Sequence, residues 1–206
     1  EKMLLNKNSL AAVGFSSNDD TRPTLQSVYI TQKVTVGSDG IRLIEVSHPI
    51  ADEKNFPVIA GVNGGSADDL TPVLVPADAI RSLLKALPKK QRMPILSHAL
   101  IDVVDSNANG HVKIAVTDLE SPQVFTPSKI DGQFPSYEQV FPAGDPLTTF
   151  GVNPALLADS LKTIAGMLEK GRGVKVSMYG PEKPLVIETE TPEGQKIRAL
   201  VMPMRI

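Results

Sequence analysis

Residues 22–30 read RPTLQSVYI, and residues 93–101 read MPILSHALI. The two match at Pro23 and Pro94, Leu25 and Leu96, Ile30 and Ile101. Each is followed by strand-like sequence that ends in a hydroxyl–aspartate pair, Ser38-Asp39 in one and Thr117-Asp118 in the other. A similarity held at fixed spacing marks an internal repeat.

Working outward, each copy combines a helix with strands. In PADAIRSLLKALP (76–88), Ile80, Leu83, Leu84 and Leu87 recur at helical spacing, with Pro76 before the start and Pro88 at the stop. A shorter helix is expected over about Asn8 to Phe15. SVYITQKVTVGSDGIRLIEVSHP (27–49) reads as three strands joined by two turns. Residues 99–130 repeat that layout around a longer Asn-Gly hairpin. A third unit keeps helix and strands but lacks the Pro-x-Leu signature. Its helix, in VNPALLADSLKTIAGMLEKGRG (152–173), has Asn153 as N-cap and Pro154 at the first position. Leu157, Leu161, Ile164 and Leu168 make its buried face, and Gly171 or Gly173 is the expected end. Three strands follow in residues 173–204.

The chain is therefore read as three α+β units of roughly sixty residues each. Two of them, about 1–50 and 73–142, form one domain across a long loop tipped by Gly64-Gly65-Ser66. Residues 147–206 form a single half-domain. A helix backed by a few strands needs a neighbour's apolar stripe to close a core. Two units side by side would place two helices on one face of an antiparallel sheet. The odd third unit must pack on another domain or another chain.

Composition narrows the function. With no cysteine among 206 residues, disulfides, thiolate metal sites and cysteine nucleophiles are excluded, which fits a cytoplasmic setting. Tryptophan is absent and aromatics are scarce, so the core must be aliphatic. No apolar run reaches membrane-spanning length, and the first residues lack a signal-peptide pattern. A formal charge of −2 argues against a basic coat over the whole surface. His48, His98 and His111 lack metal-ligand spacing, and no phosphate-binding or nucleophile motif occurs. Asp118 and Glu120 share a strand face but read as a turn-capping aspartate and a solvated glutamate rather than an acid–base pair. Nothing favours an enzyme, and neither cofactor nor metal is expected.

Three stretches resemble the bacterial DNA polymerase III β subunit, the sliding clamp: VGSDGIRLIEV (36–46), DGQFPSYEQVFP (131–142) and VMPMRI (201–206). The resemblance implies a DNA-clamp-like fold with helices on one face of curved sheets, in a shortened form. It implies a processivity factor that encircles or contacts duplex DNA without sequence specificity. Partners would be peptide tails of a polymerase, clamp loader or repair proteins. Homo-oligomers are expected, a tetramer or dimer among them. The alternative is a clamp-derived module that binds or sequesters clamp partners without encircling DNA.

The resemblance also assigns sites. The partner-peptide cleft maps to Leu25, Ser38, Gly40, Arg42, Leu43, Pro142, Leu200, Met202, Pro203, Met204 and Arg205. Flexible, polarisable methionine suits a surface that repacks around different apolar side chains. Proline near a strand end is expected to stop ladder pairing and leave the terminus as a free wall. Arg42 and Arg205 would orient polar groups at the rim. Ile41 stands where the family often has a polar residue. DNA phosphates would meet Arg81, Lys85, Lys89, Lys90 and Arg92 on and after one helix, and Lys162, Lys170 and Arg172 on another.

Overall fold

Two strand exchanges build the first of the molecule's two units. The computed structural model describes residues 3–48, 56–62, 70–87, 93–103 and 110–205. It divides into two compact units, Glu1–Ser136 and Tyr137–Ile206, a few residues ahead of the boundary expected at 142–147.

In the first unit, β1 (Met3–Asn6) precedes helix α1 (Lys7–Leu10), which continues as a 3-10 segment, Ala11–Phe15. Asn6 caps α1 by accepting from the Ser9 amide at 2.9 Å. Strands β2 (Ser27–Ile30), β3 (Val34–Ser38) and β4 (Leu43–Ser47) follow. The second repeat gives β5 (Val73–Pro76), α2 (Ala77–Ala86), β6 (His98–Val103), β7 (Val112–Val116) and β8 (Gln123–Phe125). The sheets do not respect the repeat boundary. One runs β1-β6-β7-β8 and the other β4-β3-β2-β5, both antiparallel. Each repeat thus lends its leading strand to the other's sheet, with Leu5 opposite Ala99 and Val75 opposite Val28. Two sheets replace the single sheet expected from sequence.

The helices and the inner faces of both sheets close one core. Leu5, Leu10, Ile30, Ile80, Leu83 and Ile101 are inaccessible within it. Burial of such side chains contributes about 1.5–3 kcal/mol each. The expected α2 stripe holds, with Ile80, Leu83 and Leu87 buried and Leu84 packed against the core. The outer faces are covered too. Phe56, Ile59 and Val62, read from sequence as loop, pack on Leu4, Leu100 and Ala115, and Lys113 Nζ donates to the Gly61 carbonyl at 2.9 Å. Across the other sheet, Phe134 stacks on Tyr29 with ring centroids 5.0 Å apart. The Gly-Gly-Ser tip and most of the Asn-Gly hairpin lie outside the described residues.

The second unit holds β9 (Gly151–Val152), α3 (Pro154–Ala165), β10 (Lys175–Ser177), β11 (Leu185–Glu190), β12 (Lys196–Val201) and β13 (Pro203–Met204). Asn153 caps α3 as expected, accepting from the Ala155 and Leu156 amides. Leu157, Leu161, Ile164 and Leu168 face a core with Leu185 and Ile187. The end of α3 differs from the expectation at Gly171 or Gly173. The helix stops at Ala165, and Gly166 is its C-cap. Glycine is the weakest helix former after proline, and the chain tightens there, with Met167 N bonding to Ile164 O. Gly171, with φ +88°, serves a later turn instead. No described helix is long and apolar enough to cross a membrane.

Gly37 tests the packing of β3. A Cβ there would strike the carbonyl oxygen of Ala12 and lie 2.9 Å from its carbon. Gly37→Ala should therefore lower stability by ~1–3 kcal/mol, as overpacking does. Denaturant titration of the full chain reads this, and an unchanged midpoint would show that β3 does not rest on the 3-10 segment.

Candidate functional site

The residues assigned to the cleft divide between the units. Leu25, Ser38, Gly40, Arg42 and Leu43 belong to the first. Pro142, Leu200, Met202, Pro203, Met204 and Arg205 belong to the second.

In the first unit, the turn between β3 and β4 is built by side chains. Ser38 Oγ donates to the Arg42 carbonyl at 2.9 Å and accepts from the Gly40 amide. Asp39 Oδ1 accepts from the Ile41 and Arg42 amides, both at 3.0 Å. Gly40 sits at φ +87°, where a side chain is strained, and its backbone lies beside Leu25 Cδ1 and Arg22 Nη1. Leu25 is buried, Leu43 half-buried, and Ile41 97% exposed at the tip.

Arg42 is more constrained than the sequence suggests. Its Nε donates to Asp39 Oδ2 at 2.9 Å, another guanidinium nitrogen donates to the Gly14 carbonyl, and the group lies 4.7 Å from the centre of the Phe15 ring. It is thereby held as a fixed post on the turn. Asp39, Gly14 and Phe15 were not among the expected site residues. Only the Ser-Asp pair hinted at Asp39; the other two come from a segment distant in sequence.

The second repeat carries the same turn. Thr117 Oγ1 accepts from the Leu119 amide, and Asp118 Oδ1 accepts from Glu120 and Ser121. Asp118 is thus the turn-capping residue expected, and these bonds lower its pKa. The residue at positive φ is Leu119 (φ 81°) rather than glycine, and Ser121 replaces the arginine. The guanidinium post is confined to the first repeat.

In the second unit, Val201 is buried, whereas Leu200, Met202 and Met204 are 60%, 61% and 49% exposed. Those methionines do not seal the core. The expected free wall is corrected, however: Pro203 and Met204 pair with Val152 and Gly151. The ladder with β11 ends at Val201, and the chain resumes pairing on β9. Proline is tolerated on so short an edge strand. Pro142 and Arg205 are exposed.

The expected basic residues are also divided. Arg81, half-buried on α2, is bound to Asp78 at 2.7 Å and reaches Asn18, while Lys85 is exposed. Lys89, Lys90 and Arg92 lie outside the described residues. Lys162 is exposed on α3. Lys170 and Arg172, expected on that helix, instead occupy the turn after it because α3 ends early. Among the described residues, no group of three or more histidine, aspartate or glutamate side chains could hold a metal ion. His48 is bonded to Thr35 and the Gln32 carbonyl, and its burial lowers its pKa.

Two exchanged-strand repeats, a third of the same pattern and an apolar strand end define the fold class as that of a DNA sliding clamp. More particularly, it is the fold of the bacterial DNA polymerase III β subunit. The Bacillus subtilis sliding clamp is similar over 100% of this chain and 50% of its own, at 18% identity and a TM-score of 0.68. The Pseudomonas aeruginosa clamp bound to griselimycin matches 98% of this chain and 50% of its own, at 20% identity and a TM-score of 0.67. The β chain from Streptococcus pneumoniae matches 99% and 49%, at 17% identity and a TM-score of 0.65. The chain spans about half the length of these clamps. No protein-family model matches it, and no curated protein matches it in sequence.

The turn makes a pH prediction. The Arg42 guanidinium, with the amides of Arg42 and Ile41, lowers the Asp39 pKa from 3.8 to about 2. A depressed carboxylate pKa means the charged turn is favoured above 3.8, and that benefit is lost as pH falls through about 2. NMR titration should place the Asp39 midpoint near 2, rising toward 3.8 in Arg42→Ala. An ordinary midpoint in the parent chain would refute the pairing.

Proposed function

We propose that this chain is a non-catalytic, sliding-clamp-type processivity factor. It holds a polymerase, clamp loader or repair protein by an apolar peptide tail and contacts duplex DNA without reading sequence. The exposure of Leu200, Met202 and Met204 carries the reading of the tail site. Large apolar side chains left in water at a strand end are costly unless a partner covers them. The clamp fold supports the same role, and so does the P. aeruginosa clamp's binding of griselimycin. The braced Ser38–Arg42 turn, with Leu25 and Leu43, is the part of the expected partner site that the first unit carries. Adaptable methionines suit a site that takes several related tails.

Lys85, Lys162, Lys170 and Arg172 supply the DNA-facing charge, all of it exposed. Lysine and arginine meeting phosphates give binding that is sequence-blind and salt-dependent. The alternative reading, a module that holds clamp partners without encircling DNA, keeps the tail site and dispenses with these contacts. Homo-oligomers, a dimer or tetramer, would be needed for a ring.

Fluorescence anisotropy with a labelled Gln-x-x-Leu/Phe-type peptide tests the tail site. Met202→Asp and Leu43→Asp should each weaken binding at least about tenfold, as loss of an apolar anchor does. Unchanged affinity in both would remove the cleft. For DNA, Lys85→Glu combined with Lys162→Glu should weaken duplex binding and flatten its salt dependence by about 0.9 logarithmic units per lost phosphate contact. A parent chain that binds no duplex at low salt would favour the non-encircling module.

A further inference from the structure

The first unit states what a repeat of this kind needs from its mate. The mate's leading strand pairs on the edge of the repeat's first sheet strand, as β5 does on β2 and β1 on β6. For β2, the mate's helix also covers the strand's inner face. Helix α2 packs on β8 of its own repeat and on β2 of the other. Val28 and Ile30, facing inward on β2, are inaccessible as a result.

The third repeat has the first half of this arrangement and lacks the second. Helix α3 packs on β12, its own last strand, as α2 does on β8. Strand β10 takes the place of β2. Its inner face is fixed by register: Val176 lies opposite Ile187, which lies opposite Ala199, and both of those belong to the α3 core. Alternation puts Met178 on the same side as Val176. Yet Val176 and Met178 are 51% and 52% exposed. Among the described residues, β10 pairs only with β11, and β9 only with β13. An apolar inner face and an open strand edge therefore coincide on β10. On β2, their counterparts are closed by the leading strand β5 and the helix α2.

We infer that a second copy of this chain supplies that strand and helix, so that two third repeats complete each other by reciprocal exchange of β9 and α3. The missing element is a leading strand followed by a capped helix, and the third repeat itself carries one. Phe150 and Val152 stand at the same distances before the Asn153 cap as Met3 and Leu5 before Asn6, and as Val73 and Val75 before Pro76. Met3, Leu5, Val73 and Val75 all face inward. Two copies lack and offer the same surface, which is the condition for a closed two-fold interface. The internal register carries over: Leu5 opposite Ala99 and Val75 opposite Val28 place Val152 of one copy opposite Val176 of the other.

The chain has no cysteine, so Val152→Cys with Val176→Cys gives a clean cross-linking pair. Sedimentation of the full chain should give twice the 22.1 kDa monomer mass, and oxidation of the double variant should yield a covalent dimer. Val176→Lys with Met178→Lys should return the mass to the monomer while far-UV circular dichroism stays unchanged. Should that variant fail to fold, the cross-link remains decisive. A monomeric parent at micromolar concentration would leave the β10 edge to a different protein and overturn the inference. So would a dimer that the cysteine pair does not trap. Neither result decides whether the peptide binds, although a monomeric parent would favour the non-encircling module.

Discussion

Reciprocal exchange of leading strands is the constraint on which the first unit depends. A repeat alone offers one helix and four short strands, too little to surround a core. By giving β1 to one sheet and β5 to the other, the two repeats extend each sheet to four strands that share one core with the helices. The exchange also fixes orientation. A one-residue slip in the β5–β2 register would turn Val73 and Val75 away from the core and bring Leu74 into it. Leu5, Val28, Val75 and Ile101 are inaccessible because both exchanges hold together.

Repetition at the level of fold allows divergence at the level of chemistry. The Ser38-Asp39-Gly40 and Thr117-Asp118-Leu119 turns share their hydroxyl-to-amide and carboxylate-to-amide bonds. These bonds shape the backbone and come with the repeat. The additions in the first copy are Gly40, which takes the positive φ of the turn without strain, and Arg42, stacked on Phe15 and tied to Asp39. Exposed ion pairs contribute little to stability. The value of this one lies in positioning, since it keeps a charged group at a set place beside Leu43.

Much of this was legible in the sequence. The Pro-x-Leu echo and the paired hydroxyl–aspartates revealed the repeat, and periodicity in 76–88 and 152–173 located two helices. What escaped were non-local features. Nothing in Met3–Asn6 says that its partner is β6 rather than β2, because strand pairing depends on contacts far apart in sequence. Phe56, Ile59 and Val62 lie in a stretch with many glycines and acids, so their packing beneath loop-like composition was hidden. The end of α3 was misplaced because three glycines follow Ile164 within ten residues, and the first already suffices to stop a helix. Phe15 beneath Arg42 lacked any local signal.

Exposed apolar side chains in the second unit have two origins, and register separates them. Leu200 lies opposite Val186, which lies opposite Ser177, a row on the face of the sheet away from α3. Val176 belongs to the row with Ile187 and Ala199, on the face toward α3. Side chains on adjacent positions of a strand point to opposite faces, so no single small partner covers both rows. The inner row is exposed because the repeat lacks a mate, and closing it would make a core like that of the first unit. Leu200 on the outer row, with Met202 and Met204 further along the chain, belongs to the tail site proposed above. A mated third repeat would therefore leave Leu200 and the methionines in solvent, and completing the fold would not compete with the proposed tail site.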